Sequence, residues 1–169
     1  YKRQVVEELW QELKNSSFEP AHFELAFGDG EKMNAISVPG AEMEAQLRGF
    51  VDRVDVWNNG FTNYFRVVDY KTGRKDFDYC DVFNGVGLQM LLYMFALRES
   101  GEPILGEHPV AAGVQYFPAR APYIPSDGKL TEEDAEKLRQ SQWKRKGLLL
   151  SDEEILQAME PGDTPRRMS

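Results

Sequence analysis

Residues 2–15 repeat apolar side chains at helical spacing, with Val5, Val6, Leu9, Trp10 and Leu13 on one face and mostly charged or amide residues elsewhere. The spacing predicts an amphipathic helix laid on a core through that face. Ser16 to Pro20 break it. Phe23, Leu25 and Phe27 then alternate with His22, Glu24 and Ala26, the period of a half-buried strand. Gly28-Asp29-Gly30 reads as a turn, Ala35 to Val38 as a short strand and Pro39-Gly40 as a second turn. Between 43 and 57 the alternation returns, setting Met43, Ala45, Leu47, Gly49 and Val51 against Glu44, Gln46, Arg48, Phe50 and Asp52. Asn59-Gly60 is the best short hairpin signal in the chain. The return strand, about 61–71, is rich in Phe, Tyr and Val.

Residues 78–84 form an approach loop. From Val86 to Arg98 the chain is apolar nearly all round, which predicts a helix buried on several sides. Ser100-Gly101-Glu102-Pro103 stops it, and Ala111 to Phe117 is a further strand. Pro118, Pro122 and Pro125 make a rigid irregular stretch. Residues 131–146 read as a charged helix whose start, Thr131-Glu132-Glu133-Asp134, carries a capping signal. Ser151-Asp152-Glu153-Glu154 opens a last short helix through Met159. The order predicts a mixed α/β fold, an antiparallel hairpin sheet flanked by helices.

At 169 residues the chain is one domain of ordinary size, long enough to bury a real core. It starts without Met inside a helix and stops at Arg166-Arg167-Met168-Ser169, so residues 1–169 read as one domain cut from a larger multidomain protein. No run of 18 apolar residues is present, and no membrane span is expected. The single cysteine, Cys80, cannot form an intrachain disulfide and suits a reducing, cytoplasmic setting. His22 and His108 are too few and too far apart to argue for zinc. The net charge of −8 speaks against a protein that coats nucleic acid. It leaves room for a site where metal ions supply the positive charge.

The hairpin concentrates the chemistry. With Asn59-Gly60 as the two central residues of the turn, Asn58 faces Phe61 and Asp52 lies opposite Val67. Asp69 then sits on the diagonal of Asp52, on the same face, with Cβ atoms about 7–8 Å apart. Lys71 is two residues beyond Asp69 and shares that face. Two carboxylates at this spacing suit a hard cation such as Mg²⁺, which takes one or two protein carboxylates and keeps waters. A one-residue slip would turn Asp52 to the other face. On its own, an Asp and a Lys at this spacing is also what an exposed ion pair looks like. Gln89 and Tyr93, four apart, form one polar strip on the oily helix. Arg48, Arg53, Arg66, Arg74 and Lys75 gather around the hairpin and would flank a phosphate path. Lys144-Arg145-Lys146 is a second basic run, read as a solvated helix end.

Three segments in order, Leu47-Arg48-Gly49-Phe50-Val51-Asp52-Arg53-Val54-Asp55, Val68-Asp69-Tyr70-Lys71-Thr72-Gly73 and Leu88-Gln89-Met90-Leu91-Leu92-Tyr93, resemble the PD-(D/E)XK nuclease superfamily. More narrowly they are similar to the RecB-type nuclease domain of AddB/RexB helicase–nuclease subunits, as are Phe23 to Gly28, Ala112 to Phe117 and Lys146 to Asp152. The resemblance implies a restriction-endonuclease-like fold and an exonuclease that hydrolyses DNA with Mg²⁺ or Mn²⁺. It implies a helicase subunit as partner in double-strand break repair, in a bacterial-type, nucleoid-associated setting. Asp52 and Asp69 would be metal ligands, helped by the backbone carbonyl of Tyr70. Lys71 would be the catalytic lysine, and Gln89 and Tyr93 would orient substrate or catalytic groups. Glu24 is a further acidic candidate, and equally a surface glutamate of a strand. The resemblance also implies a histidine on the preceding helix, which residues 2–15 lack, and an iron–sulfur cluster whose cysteines would lie only in a longer chain. Two other readings stand beside it: a module that keeps this fold as a DNA-binding scaffold without turnover, and an exonuclease of another branch.

Overall fold

The computed structural model describes residues 2–28, 32–39, 44–73, 77–120 and 131–162. The turn expected at Gly28-Asp29-Gly30, Met43, Arg74, Lys75, Pro122 and Pro125 fall wholly or partly outside those residues. Helix α1 (Lys2–Asn15) forms where its spacing predicts. Its apolar stripe, however, does not bury: Val6 is 64% and Trp10 57% exposed, and Glu12 is the buried residue of the helix. The reason lies beneath it, where arginines draw a carboxylate inward.

Strand β1 (Glu19–Phe27) buries Leu25 and Phe27 as their alternation predicts, while Phe23 is 60% exposed. The alternation does not run through Glu24, whose φ is +48°. The long run expected at 43–57 is two strands in two sheets. Strand β2 (Ile36–Pro39) pairs with β3 (Glu44–Leu47) in a small separate ladder. After Arg48, β4 (Gly49–Asn58) joins the main sheet beside β1. On β4, Val51 and Val54 both lie in the same core cluster although three residues apart. A regular strand of period two forbids that, so the alternation resets on β4 at the level of Glu24 on β1.

Strand β5 (Asn63–Lys71) returns antiparallel, but four residues, Asn59 to Thr62, make the loop. Asn58 therefore faces Asn63, not Phe61, and Val54 faces Val67. Side chains dictate the wider turn. Asn58 Oδ1 accepts from the Gly60 amide at 2.6 Å, and Asn59 Oδ1 accepts from the Phe61 and Thr62 amides at 3.1 and 2.9 Å. Such Asx bonds compete with the tightest turn. The register moves by two residues, so every side chain keeps its face.

A short helix α2 (Tyr79–Phe83) replaces the expected approach loop, capped by Asp78, whose carboxylate accepts from the Cys80 and Asp81 amides. Helix α3 (Gln89–Ser100) buries Met90, Leu91, Tyr93, Met94 and Leu97. Gly101 ends it, and Pro103 falls in the first turn of a one-turn helix α4 (Glu102–Leu105), a position that lacks a helical amide partner in any case. Strand β6 (Val110–Pro118) runs parallel to β5, so the expected antiparallel hairpin sits in a mixed sheet. The crossover helix between them makes that pairing possible. Helix α5 (Glu132–Gln142) stops earlier than its charge pattern suggests, and β7 (Lys146–Leu149) pairs with β6. Gly147 lies so close to the Val114 carbonyl that a β-carbon there would collide with it. Helix α6 (Glu153–Met159) closes the described chain, capped by Asp152.

The main sheet runs β1-β4-β5-β6-β7. One face packs on α3: Leu25, Phe27, Val51, Val54, Phe65, Val67 and Val114 meet Met90, Met94 and Leu97. On a second, smaller core Phe18 and Ala112 meet Ile155, Ala158 and Met159 of α6. Beside that core the sheet is ionic. Glu12 accepts from Arg53 at 2.7 Å and Arg66 at 3.1 Å on one oxygen, and from Arg145 at 2.7 and 2.9 Å on the other. Asp55, fully buried, accepts from Arg66 Nε at 2.8 Å and Arg53 Nη2 at 3.0 Å. Arg53 Nε also stands 2.8 Å from Asp55 Oδ1 as a charge contact. Gln115 takes a remaining Arg66 hydrogen at 3.1 Å.

Burial alone would push the Glu12 carboxyl upward, but Arg145, Arg66 and Arg53 outweigh it and hold its pKa at about 2. A carboxyl lowered in the folded state stabilises above its unfolded pKa and loses that contribution as pH falls through the folded value. The fold is therefore expected to lose the Glu12 contribution as the pH drops from 4.5 to about 2. Glu12→Leu, which strands three guanidinium groups, should cost about 3–5 kcal/mol at neutral pH and flatten that acid slope. Urea denaturation at pH 7 and pH 3 measures both, and a variant as stable as the parent at pH 7 would contradict the role given to Glu12.

Candidate active site

On β5, Asp69 and Lys71 follow Val67 at alternate positions, which puts them on the α3 side of the sheet. The ladder between β4 and β5 ends at Arg53 and Val68. Carried one step further, the same register sets Asp52 across from Asp69, where the two-residue turn had set it across from Val67. The Tyr70 amide is bound here by a side chain: Asp52 Oδ2 accepts its hydrogen at 2.8 Å. Asp52 is half-buried.

Asp69 is 16% exposed, and Lys71 Nζ lies 2.6 Å from its Oδ2. Lys71 is 37% exposed, so this contact is solvent-screened and contributes little to stability. Lys71 also stands 5.8 Å from the centre of the Tyr116 ring. Tyr116 is the partner of Asp69 across the parallel β5–β6 pairing and is buried. Burial pushes its phenol upward in pKa, the Asp69 charge adds to this, and Lys71 partly opposes it. Reading the sequence alone assigned Tyr116 no part in the site. Only the parallel pairing of β6 with β5 brings it there, and no local pattern encodes which strand β6 joins.

Gln89 and Tyr93, one turn apart on α3, are bonded to each other, Gln89 Nε2 donating to Tyr93 Oη at 2.9 Å. Tyr93 stacks on Phe27 with ring centres 5.4 Å apart. Its hydroxyl rests on Gly49, where a β-carbon would collide with it. Gly49 therefore lets α3 reach the start of β4, three residues before Asp52.

Other residues go elsewhere. Glu24 is exposed, and its register partner on β4 would be Asp52, since Phe23 pairs with Arg53 and Leu25 with Val51. Among the described residues no group of three or more His, Cys, Asp or Glu gathers tightly enough to hold a metal ion, so Glu24 does not complete a trio with the two aspartates. Of the basic residues expected to flank a phosphate path, Arg53 and Arg66 are instead buried in the ionic cluster. Arg48 is exposed. In the second basic run only Lys144 is exposed, while Arg145 is buried against Glu12. His22 contacts the Ile104 carbonyl at 3.3 Å, His108 sits exposed beside Glu102, and Cys80 is exposed on α2. Among the described residues no helix is long and apolar enough to cross a membrane.

A β-hairpin in a five-stranded mixed sheet backed by helices is a restriction-endonuclease-like frame. The chain belongs to the PD-(D/E)XK nuclease superfamily, which it matches over residues 2–167. It is 38% identical over 163 residues to an ATP-dependent helicase/deoxyribonuclease subunit of Acetivibrio thermocellus, covering 94% of this chain and 14% of that protein. The protein of the same name from Oceanobacillus iheyensis is 38% identical over 158 residues, covering 90% of this chain and 13% of its own length. That from Desulforamulus reducens is 32% identical over 157 residues, covering 92% of this chain and 14% of its own length. The chain thus spans about 14% of the length of the curated relatives it matches.

The contact at Gly49 makes a specific prediction. Gly49→Ala should destabilise the fold by about 1–3 kcal/mol, because the new methyl overlaps the Tyr93 hydroxyl. In a Tyr93→Phe background the oxygen is gone and most of the cost should be recovered, a non-additivity that a double-mutant cycle by urea denaturation reads directly. Additive losses would show that the hydroxyl is not what Gly49 accommodates.

Proposed function

We propose that this chain is the DNA-cutting module of a helicase–nuclease subunit, a Mg²⁺- or Mn²⁺-dependent exonuclease acting with a helicase partner in the repair of double-strand breaks. The observation that carries this is Asp52 bonded to the Tyr70 amide just past the end of the β4–β5 ladder, with Lys71 beside Asp69 on the next strand. The names of the relatives support the helicase–nuclease setting.

The donor chemistry fits a hard divalent cation. Asp52, Asp69 and the Tyr70 carbonyl offer oxygen only, and two carboxylates with water and phosphate oxygens completing the shell is the habit of Mg²⁺. When bound, such a cation lowers the pKa of a water and neutralises charge on a phosphoryl oxygen. The protein's own groups do the rest. Asp52 Oδ2 is held by the Tyr70 amide, which restricts how the carboxylate can turn. Lys71 supplies a cationic donor that can orient a water or the phosphate and stabilise developing charge. The Gln89–Tyr93 pair, held against Gly49, presents an amide and a hydroxyl from the α3 side. The single cysteine offers no cluster-binding set, so an iron–sulfur cluster belongs to this reading only in a longer chain.

Calorimetric titration with Mn²⁺ tests the ligand assignment: the parent chain should bind, and Asp69→Ala should not. Equal binding by both would sink it. On linear DNA with Mn²⁺, Lys71→Ala should slow cleavage by about 10²–10⁴-fold. A full-length protein that binds DNA but never cuts it would leave the non-catalytic scaffold as the better account.

A further inference from the structure

We propose that the side chain of Tyr70 is a positioning residue for this site, locking β5 to the buried arginine cluster so that the Tyr70 main chain holds Asp52 in its working orientation. The proposal rests on Asp52 and Asp69 being the cation's ligands. Tyr70 stands between Asp69 and Lys71, and on a strand its side chain points away from theirs. Its main chain serves the front of the sheet, and its ring lies in the ionic rear.

The two neighbours Asp52 and Arg53 on β4 grip this one residue of β5 from opposite faces. In front, the Tyr70 amide donates to Asp52 Oδ2 at 2.8 Å. Behind, Arg53 Nη1 donates to the Tyr70 hydroxyl at 2.9 Å, and its guanidinium carbon lies 5.6 Å from the ring centre. Both bonds fall just past Arg53–Val68, the last pair of the β4–β5 ladder. They therefore span the two strands where main-chain pairing has stopped. A carboxylate that binds a cation needs its carbon framework held, and an outer hydrogen bond is the usual device. Here the donor is the backbone of the neighbouring strand, and a side-chain anchor keeps that backbone in reach.

The anchor is itself immobile. Arg53 is fully buried and tied to Glu12 at 2.7 Å and to Asp55 at 3.0 Å. The Tyr70 ring also meets Phe117 edge-on at 5.2 Å, and the Arg145 guanidinium covers Phe117 at 4.2 Å. Arg145, Phe117, Tyr70 and Arg53 thus form a run of rings between two cations, closed at both ends by Glu12. Swinging the half-buried ring away would break that run. A tyrosine that merely filled space would need no bond to a guanidinium already paired with two carboxylates.

Tyr70→Phe keeps the ring and removes the bond to Arg53, so the test uses this variant in the 169-residue chain. Amide hydrogen exchange at residue 70, without metal, should quicken by tenfold or more. The Mn²⁺ dissociation constant should rise by about tenfold, with the urea midpoint little changed. A lower midpoint with residue-70 exchange and Mn²⁺ affinity as in the parent marks a structural tyrosine and overturns the proposal, as does a variant equal to the parent in all three. Should the parent itself fail to bind Mn²⁺, the ligand assignment falls, and the metal-free exchange still decides: faster exchange supports the clamp, and unchanged exchange refutes it.

Discussion

Glu12 is where the two ends of this fold meet. Its carboxylate accepts from arginines of β4, β5 and the residue before β7, so one side chain of α1 joins strands from the middle and the edge of the sheet. Three guanidinium groups and two carboxylates are buried there together. Desolvating five charges costs several kcal/mol per ion, and the cost is met only because most of the oxygens and donors find hydrogen-bond partners and the rest stand beside an opposite charge. Such a cluster is a poor source of stability compared with packed hydrocarbon, but it does not tolerate loss of a member. It also dictates geometry: guanidinium forks fix the angle and distance of each strand they touch.

This gives the sheet two unlike faces. Where α3 covers it, the sheet is hydrocarbon, with apolar side chains meeting across the helix. The α1 side is part ionic, part aromatic. Alternation along β4 serves both: Val54 and Val56 face α3 while Arg53 and Asp55 face the cluster. A fold held this way has little freedom to slide β4 against β5, since a one-residue slip would drive Arg53 and Asp55 into hydrocarbon and strand Glu12.

The same parity decides which features were legible in the sequence. Asp69 and Lys71 share a face by alternation along β5, and a hairpin loop two residues longer than Asn59-Gly60 suggests leaves that face unchanged, because an even shift preserves faces. The reset on β4 between Val51 and Val54 means that alternation alone does not give the face of Asp52. Helix α3 was legible because it is apolar all round and needs no phase. Helix α1 was legible as a helix but not in its orientation. Val6 and Trp10 define its apolar stripe, yet the partner that matters is ionic, and the arginines that select Glu12 come from positions 41, 54 and 133 residues away. Strand β7, which starts where the charged helix was expected to end, was not legible because its pairing depends on the fit of Gly147 against β6 and not on any run of β-formers. Arg53 and Arg66 looked like surface cations for the same reason that Glu12 looked like a surface anion: a buried charge is recognisable only beside its partner.

Several departures from regular structure gather around one residue. The alternation of β1 and β4 resets at the level of Glu24 and Asp52, Glu24 takes a positive φ that a non-glycine residue rarely adopts, and the β4–β5 ladder ends at Arg53, next to Asp52. Three residues upstream, Gly49 admits the Tyr93 hydroxyl. Each departure forfeits something a regular strand would supply: a ladder bond, a relaxed backbone or a packed β-carbon. Regular sheets place such irregularities where a side chain must be re-aimed. A continuous ladder would commit the Tyr70 amide to a main-chain carbonyl, and Asp52 would then lack the donor that orients it. The irregularity and the acid are thus one feature, because opening the strands is what converts an aspartate on a sheet into one held by its neighbour's backbone with an oxygen to spare.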